Sequence, residues 1–186
     1  KKKILSIITS DSDHVTYVAL DESTKASDVV VVYARSMYAG AANASTKLAG
    51  EVIGILAGPS PAEIRSGLDR AIEVIENEAS FYSANDDNSI IYFAHCVSRT
   101  GSYLSKGANV KEGEAIAYLI APPLEAVVAI DSALKAADVK MNVFYGPPSE
   151  TNFAGALLTG SQSACRAACE AFAKAVEAVA DSPTSY

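Results

Sequence analysis

Asp21-Glu22-Ser23-Thr24-Lys25-Ala26-Ser27-Asp28-Val29 and Asp131-Ser132-Ala133-Leu134-Lys135-Ala136-Ala137-Asp138-Val139 agree at five of nine positions, with an offset of 110 residues. A second pair, Leu56 to Ala62 and Leu158 to Ala164, is offset by 102 residues. Self-similarity of this kind marks a duplicated structural unit. The eight-residue difference between the offsets places a longer loop in the first copy, within Arg35 to Gly50, opposite the shorter Gly146 to Gly155.

Each copy reads in the same order. A helical stretch ends near Asp28 or Asp138, and a β-branched run follows, Val29 to Tyr33 or Val139 to Tyr145. After the loop comes a second strand, Glu51 to Ala57 or Ala154 to Thr159, then a glycine turn and a long helix. Ser60-Pro61-Ala62-Glu63 has the form of a capping box with proline at the first helical position. The helical period predicts an apolar stripe of Ile64, Leu68, Ala71, Ile72 and Ile75 in the first copy. In the second the stripe is Cys165, Cys169, Phe172, Val176 and Val179.

The second copy has two further strands upstream, Ser89 to Val97 and Glu114 to Ala121, ahead of a helix from Pro123 to Ala137. At an offset of 110 the first of these strands has no counterpart, so the first copy is expected to lack its opening strand. The polar stretch Ser83 to Asn88 separates the copies. The expected organisation is two tandem α/β (α+β) domains, residues 1–84 and 85–186, each a small sheet covered by helices.

A formal charge of −7 argues against a nucleic-acid partner or an anionic membrane surface, both of which need a basic footprint. No apolar run approaches the roughly 20 residues that span a bilayer. The start, Lys1-Lys2-Lys3 before Ile4 to Ile8, is too short in its apolar part for a leader and reads as a strand. Three cysteines without zinc-type spacing fit a reducing compartment.

The segments Glu125 to Val139 and Gly155 to Ala168 resemble the helix–strand and strand–glycine–helix segments of bacterial microcompartment shell domains, in circularly permuted order. Val29 to Gly40, Leu48 to Pro61, Val97 to Ser105, Ala117 to Glu125 and Pro148 to Phe153 resemble the tandem-domain shell proteins of ethanolamine-utilisation compartments. The resemblance implies a structural protein: a homotrimer whose six domains form a pseudo-hexagonal tile, set laterally among other shell proteins in a compartment within the bacterial cytoplasm. It also implies a central pore, seen open and closed in the family, that gates metabolite traffic. The loops after the first strand of each copy would face it: Tyr38, Ala39, Gly40, Ala41 and Asn43 from one, Glu150, Thr151, Asn152 and Phe153 from the other. Read without the family, these are ordinary surface loops.

The same resemblance implies an ethanolamine site of two carboxylates and a ring, at Asp13, Glu51 and Phe81, whose occupation biases the pore towards closed. An ammonium group needs acceptors, and a ring face adds a cation–π attraction. Each residue has a simpler reading: Asp13 as a helix N-cap, Glu51 as a solvated strand residue, Phe81 as core.

His95-Cys96-Val97-Ser98-Arg99 separates its cysteine and arginine by too few residues for a phosphate-cradling loop. The turns at Gly58 and Gly160 carry no dinucleotide or Walker pattern. With two histidines in the chain and no evident nucleophile or acid–base pair, an enzyme is not expected. No cofactor is required, and neither cobalamin nor a metal is specified by the residues. The alternative is a tandem small-molecule-sensing regulatory protein, which would form a discrete dimer and no sheets.

Overall fold

The computed structural model describes residues 3–36, 52–147 and 153–182. In chain order the elements are β1 (Ile4–Ser10), α1 (Asp13–Ala26), β2 (Val30–Ser36), β3 (Val52–Gly58), α2 (Pro61–Asn77), β4 (Tyr82–Ser83), β5 (Ile91–Val97), α3 (Leu104–Gly107), β6 (Ala115–Ala121), α4 (Pro123–Ala136), β7 (Val139–Tyr145), β8 (Ala154–Gly160) and α5 (Gln162–Asp181). They fall into two compact units, Lys1–Ser80 with Thr100–Gly107, and Phe81–Arg99 with Ala108–Tyr186.

The sheets are built to one plan. In the first unit the order is β1-β3-β2, all antiparallel, with Ile4 opposite Gly58 and Ser36 opposite Val52. In the second the order β4-β5-β6-β8-β7 contains the same three-strand pattern, with Ala115 opposite Gly160 and Tyr145 opposite Gly155. The register shifts between Val31 and Tyr33 in β2, and between Met141 and Val143 in β7. These bulges stand at the same 110-residue offset as the sequence repeat, and a shared bulge is a feature inherited with the strand. Among the described residues no strand pairs with β1 in the place that β5 takes beside β6, as the offset predicted. Burial follows from this. All seven residues of β6 are buried between β5 and β8, whereas Leu5 and Ile7 of β1 are exposed.

In the first unit Leu20, Val29, Leu56 and Ile64 form the core. Ser23 Oγ donates to the Gly67 carbonyl at 2.8 Å, where α1 and α2 approach closely. Arg70 reaches Glu22, Glu73 and Glu78, which together hold its guanidinium charged. Such partly exposed pairs contribute little each. In the second unit fully buried Ala126, Ala129, Ala133 and Ala168 let α4 and α5 pack tightly together, with Phe172 of α5 in one core with Leu119 and Leu158 of the sheet.

Two local expectations are corrected. Buried positions on α2 are Ile64, Gly67, Ala71 and Val74, while Ile72 is exposed, so the stripe lies to one side of the expected one. The capping box is half formed. Ser60 Oγ accepts from Glu63 N at 3.3 Å, but the Glu63 carboxylate accepts from Asp28 N instead, tying the start of α2 to the end of the α1–β2 link.

Candidate functional site

The two loops expected at a pore each join neighbouring antiparallel strands, 37–51 between β2 and β3, and 146–153 between β7 and β8. The matched registers make Ser36 equivalent to Gly146 and Val52 to Ala154, so the eight-residue difference resides in these loops. Tyr38, Ala39, Gly40, Ala41, Asn43 and Glu51 lie outside the described residues, as do Glu150, Thr151 and Asn152. Phe153, at the foot of the shorter loop, is half-buried. Its ring lies 6.0 Å from Phe81, which lies 5.4 Å from Phe93. Phe93 is wholly buried, stacks on His95 and meets Tyr118 edge-on. The foot of the loop therefore rests on an aromatic stack anchored in the core of the second unit.

Asp13 belongs to the first unit and Phe81 to the second. Ser12, extended at φ −133°, holds the N-cap position, and Asp13 is the first residue of α1. This corrects the reading of Asp13 as the cap. The Asp13 carboxylate is 3 % exposed; its Oδ1 accepts from His14 N at 2.7 Å and stands 3.3 Å from His14 Nε2. Burial depresses the His14 pKa to about 3, so the imidazole is neutral near pH 7. Ser12 Oγ is buried with no hydrogen-bond partner among the described residues. Neutral His14 leads to an expected outcome. Unfolded chain binds a proton near pH 6.5 that the folded chain refuses until about pH 3. Stability should therefore fall as pH drops through this window, by up to about 1.4 kcal/mol per unit. Urea unfolding from pH 7 to 4 checks this; His14→Gln should flatten the slope.

Asp21 carries a structural role not foreseen from the repeat. Its fully buried carboxylate accepts from the backbone N–H groups of Gly101 at 2.6 Å, Leu104 at 2.8 Å and Tyr103 at 3.2 Å. Thr24 Oγ1 accepts from Ser102 N at 3.1 Å and donates to the Asp21 carbonyl. Burial raises the Asp21 pKa against the lowering by these bonds and by Lys25. The turn 100–107 is thus clamped onto α1. The available signal was the identity of Asp21 and Asp131 in both copies.

The thiols are built for packing. Burial raises the Cys96 and Cys169 pKa values and pushes Cys165 to about 11, and all three are free. Among the described residues no group of His, Cys, Asp or Glu could hold a metal ion, and no helix is long and apolar enough to cross a membrane.

The family described as "BMC domain" matches residues 5–86. The bacterial microcompartment shell protein EutL of Clostridium perfringens is 70 % identical over 184 residues, covering 99 % of this chain and 85 % of that protein. The crystal structure of the ethanolamine utilization protein EutL from Leptotrichia buccalis superposes with a TM-score of 0.91 at 69 % identity, covering 98 % of this chain and 84 % of the other. The trimeric shell protein PduB, at 21 % identity and a TM-score of 0.79, covers 97 % of this chain and 79 % of its own and shares the fold. A duplicated sheet-and-helix plan, matched registers and this identity across nearly the whole chain place it in the EutL family of bacterial microcompartment shell proteins.

Proposed function

We propose that this shell protein of an ethanolamine-utilisation microcompartment assembles as a homotrimer. Its domains, residues 1–84 and 85–186, would make six similar sectors of a tile that packs beside other shell proteins. Loops 37–51 and 146–153 border the central pore, and ethanolamine held by Asp13, Glu51 and Phe81 favours the closed pore. A ligand shifts such an equilibrium only by binding one state better than the other. The observation that carries this reading is the contact between Phe81, the ring assigned to the amine, and Phe153, at the foot of a pore loop. Through it, an amine on Phe81 bears directly on that loop. The buried Asp13 carboxylate beside a neutral imidazole, with the Ser12 hydroxyl adjoining, supports a cationic ligand with several N–H donors.

Calorimetric titration of ethanolamine into the full-length protein tests the site. Asp13→Asn should weaken binding by about 10- to 100-fold, the loss of one charge-assisted bond. Phe81→Ala should weaken it less, by about threefold to tenfold. Unchanged affinity in both variants would remove the amine from this place.

A further inference from the structure

Ser12, Ser60 and Ser161 hold the N-cap positions of α1, α2 and α5. A serine there ordinarily caps its helix by accepting a first-turn N–H. Ser60 Oγ accepts from Glu63 N, and Ser161 Oγ accepts from Ala164 N at 3.1 Å. Ser12 Oγ makes no cap bond, although Ser12 has the extended backbone of a cap, φ −133° and ψ 116°. The backbone of Ser12 is held firmly. Its N–H donates to Ser10 Oγ at 3.2 Å, and its carbonyl accepts from Ser10 Oγ at 3.1 Å, Thr16 Oγ1 at 2.8 Å and Thr16 N at 3.1 Å. The first-turn N–H of His14 is taken by Asp13 Oδ1. Ser12 is 6 % exposed, and its enclosed hydroxyl meets no donor or acceptor of the chain. A buried hydroxyl in this state is unfavourable. It stands on the residue next to the buried Asp13 carboxylate.

We propose that Ser12 is a specificity-determining residue: its hydroxyl pairs with the hydroxyl of a small amino alcohol whose ammonium group is held by Asp13. The inference rests on the reading of Asp13 as an amine acceptor, and adds what selects among amines. The two side chains suit different groups. An ammonium carries donors and no acceptor, and a carboxylate is its strongest partner. Were the ammonium also to meet Ser12 Oγ, the Ser12 O–H would still lack an acceptor. A ligand hydroxyl is donor and acceptor at once, as Ser12 is, so one contact satisfies both groups. Ser12 and Asp13 are consecutive, so a molecule with its polar groups on adjacent carbons can reach both. An alkylamine of the same size, such as n-propylamine, sets a methyl group against the serine and leaves it unsatisfied. Sites that hydrogen-bond a ligand hydroxyl discriminate in this way against the analogue lacking it.

Calorimetric titration of ethanolamine and of n-propylamine into the full-length protein tests it, in the wild type and in Ser12→Ala, with Ser12→Gly as a second variant lacking the hydroxyl. The wild type should prefer ethanolamine by about tenfold or more. Both serine variants should bring the two affinities within about threefold of each other, because ethanolamine then buries its own hydroxyl unpaired. Asp13→Asn should weaken both amines and leave their ratio unchanged. Urea midpoints supply the structural control. Ser60→Ala removes a formed cap bond and should lower the midpoint, whereas Ser12→Ala should leave it unchanged or raise it. A wild type that binds both amines equally, or a preference that survives in Ser12→Ala and Ser12→Gly, would overturn this inference and leave the amine site standing. A wild type that binds neither amine, or an Asp13→Asn variant that binds both as tightly, would overturn the reading of the site and the inference with it.

Discussion

Asp21→Ala is expected to destabilise the folded chain by on the order of 4 kcal/mol, read as a lower urea midpoint. The carboxylate is wholly enclosed, and its deletion leaves the N–H groups of Gly101, Tyr103 and Leu104 without their acceptor. Each hydrogen bond to a charged group contributes about 1.5–3 kcal/mol, and stranded buried donors add a desolvation penalty. Against this stands the relief of a buried charge, whose unfavourable burial shows in the raised Asp21 pKa. Breaking a buried, hydrogen-bonded charge by removing one side nevertheless destabilises strongly. Asp21→Asn should fall between, because its amide offers one acceptor oxygen and turns two donors towards donors. Asp131→Ala, at the equivalent place in the second copy, should stay within about 0.5 kcal/mol in the monomer, because Asp131 is exposed. The same duplicated residue is thus enclosed and clamped in the first copy and exposed in the second.

Gly155→Ala is the second large effect, a loss of about 3 kcal/mol. A Cβ at Gly155 would overlap the carbonyl oxygen of Leu119 and approach Ile120 Cα to 3.2 Å. Both belong to the β6 backbone, held by pairing to β5 and β8, so neither can give way as a flexible side chain would. Overpacking of this kind typically destabilises by about 1–3 kcal/mol, and a rigid backbone contact puts it at the upper end. Gly107→Ala provides the contrast. Nothing lies within 4 Å of a Cβ there, and its effect on the midpoint should be within about 0.5 kcal/mol.

The duplicated plan was legible because its signals are local. Matching motifs carry a constant offset, and β7, β8 and α4 begin where composition changes at Val139, Ala154 and Pro123. That β1 pairs with β3 alone among the described residues followed from the same offset. What escaped depended on distant partners. Asp21 meets Gly101 across 80 positions, and the repeat that singles out Asp21 does not name its partner. Glu63 looked like half of a capping box, yet Asp28, 35 positions away, supplies the donor. On α2 both candidate stripes contain aliphatic residues. Packing against α1 and the link that follows it selects Gly67, whose absent side chain leaves room for Ser27 and Val29, so burial runs through Gly67 and Val74 and leaves Ile72 outside. For the amine site, family resemblance supplied the trio, and the aromatic contact from Phe81 to Phe153 was invisible in residues 72 positions apart.

The most direct test of the central claim is a crystal structure of the full-length protein with and without ethanolamine. The account predicts a threefold assembly with ethanolamine beside Asp13, Glu51 and Phe81, and loops 37–51 and 146–153 closing the axis when the amine is bound. A monomer or dimer, or a trimer whose pore loops are the same in both crystals with no amine at those residues, would contradict it.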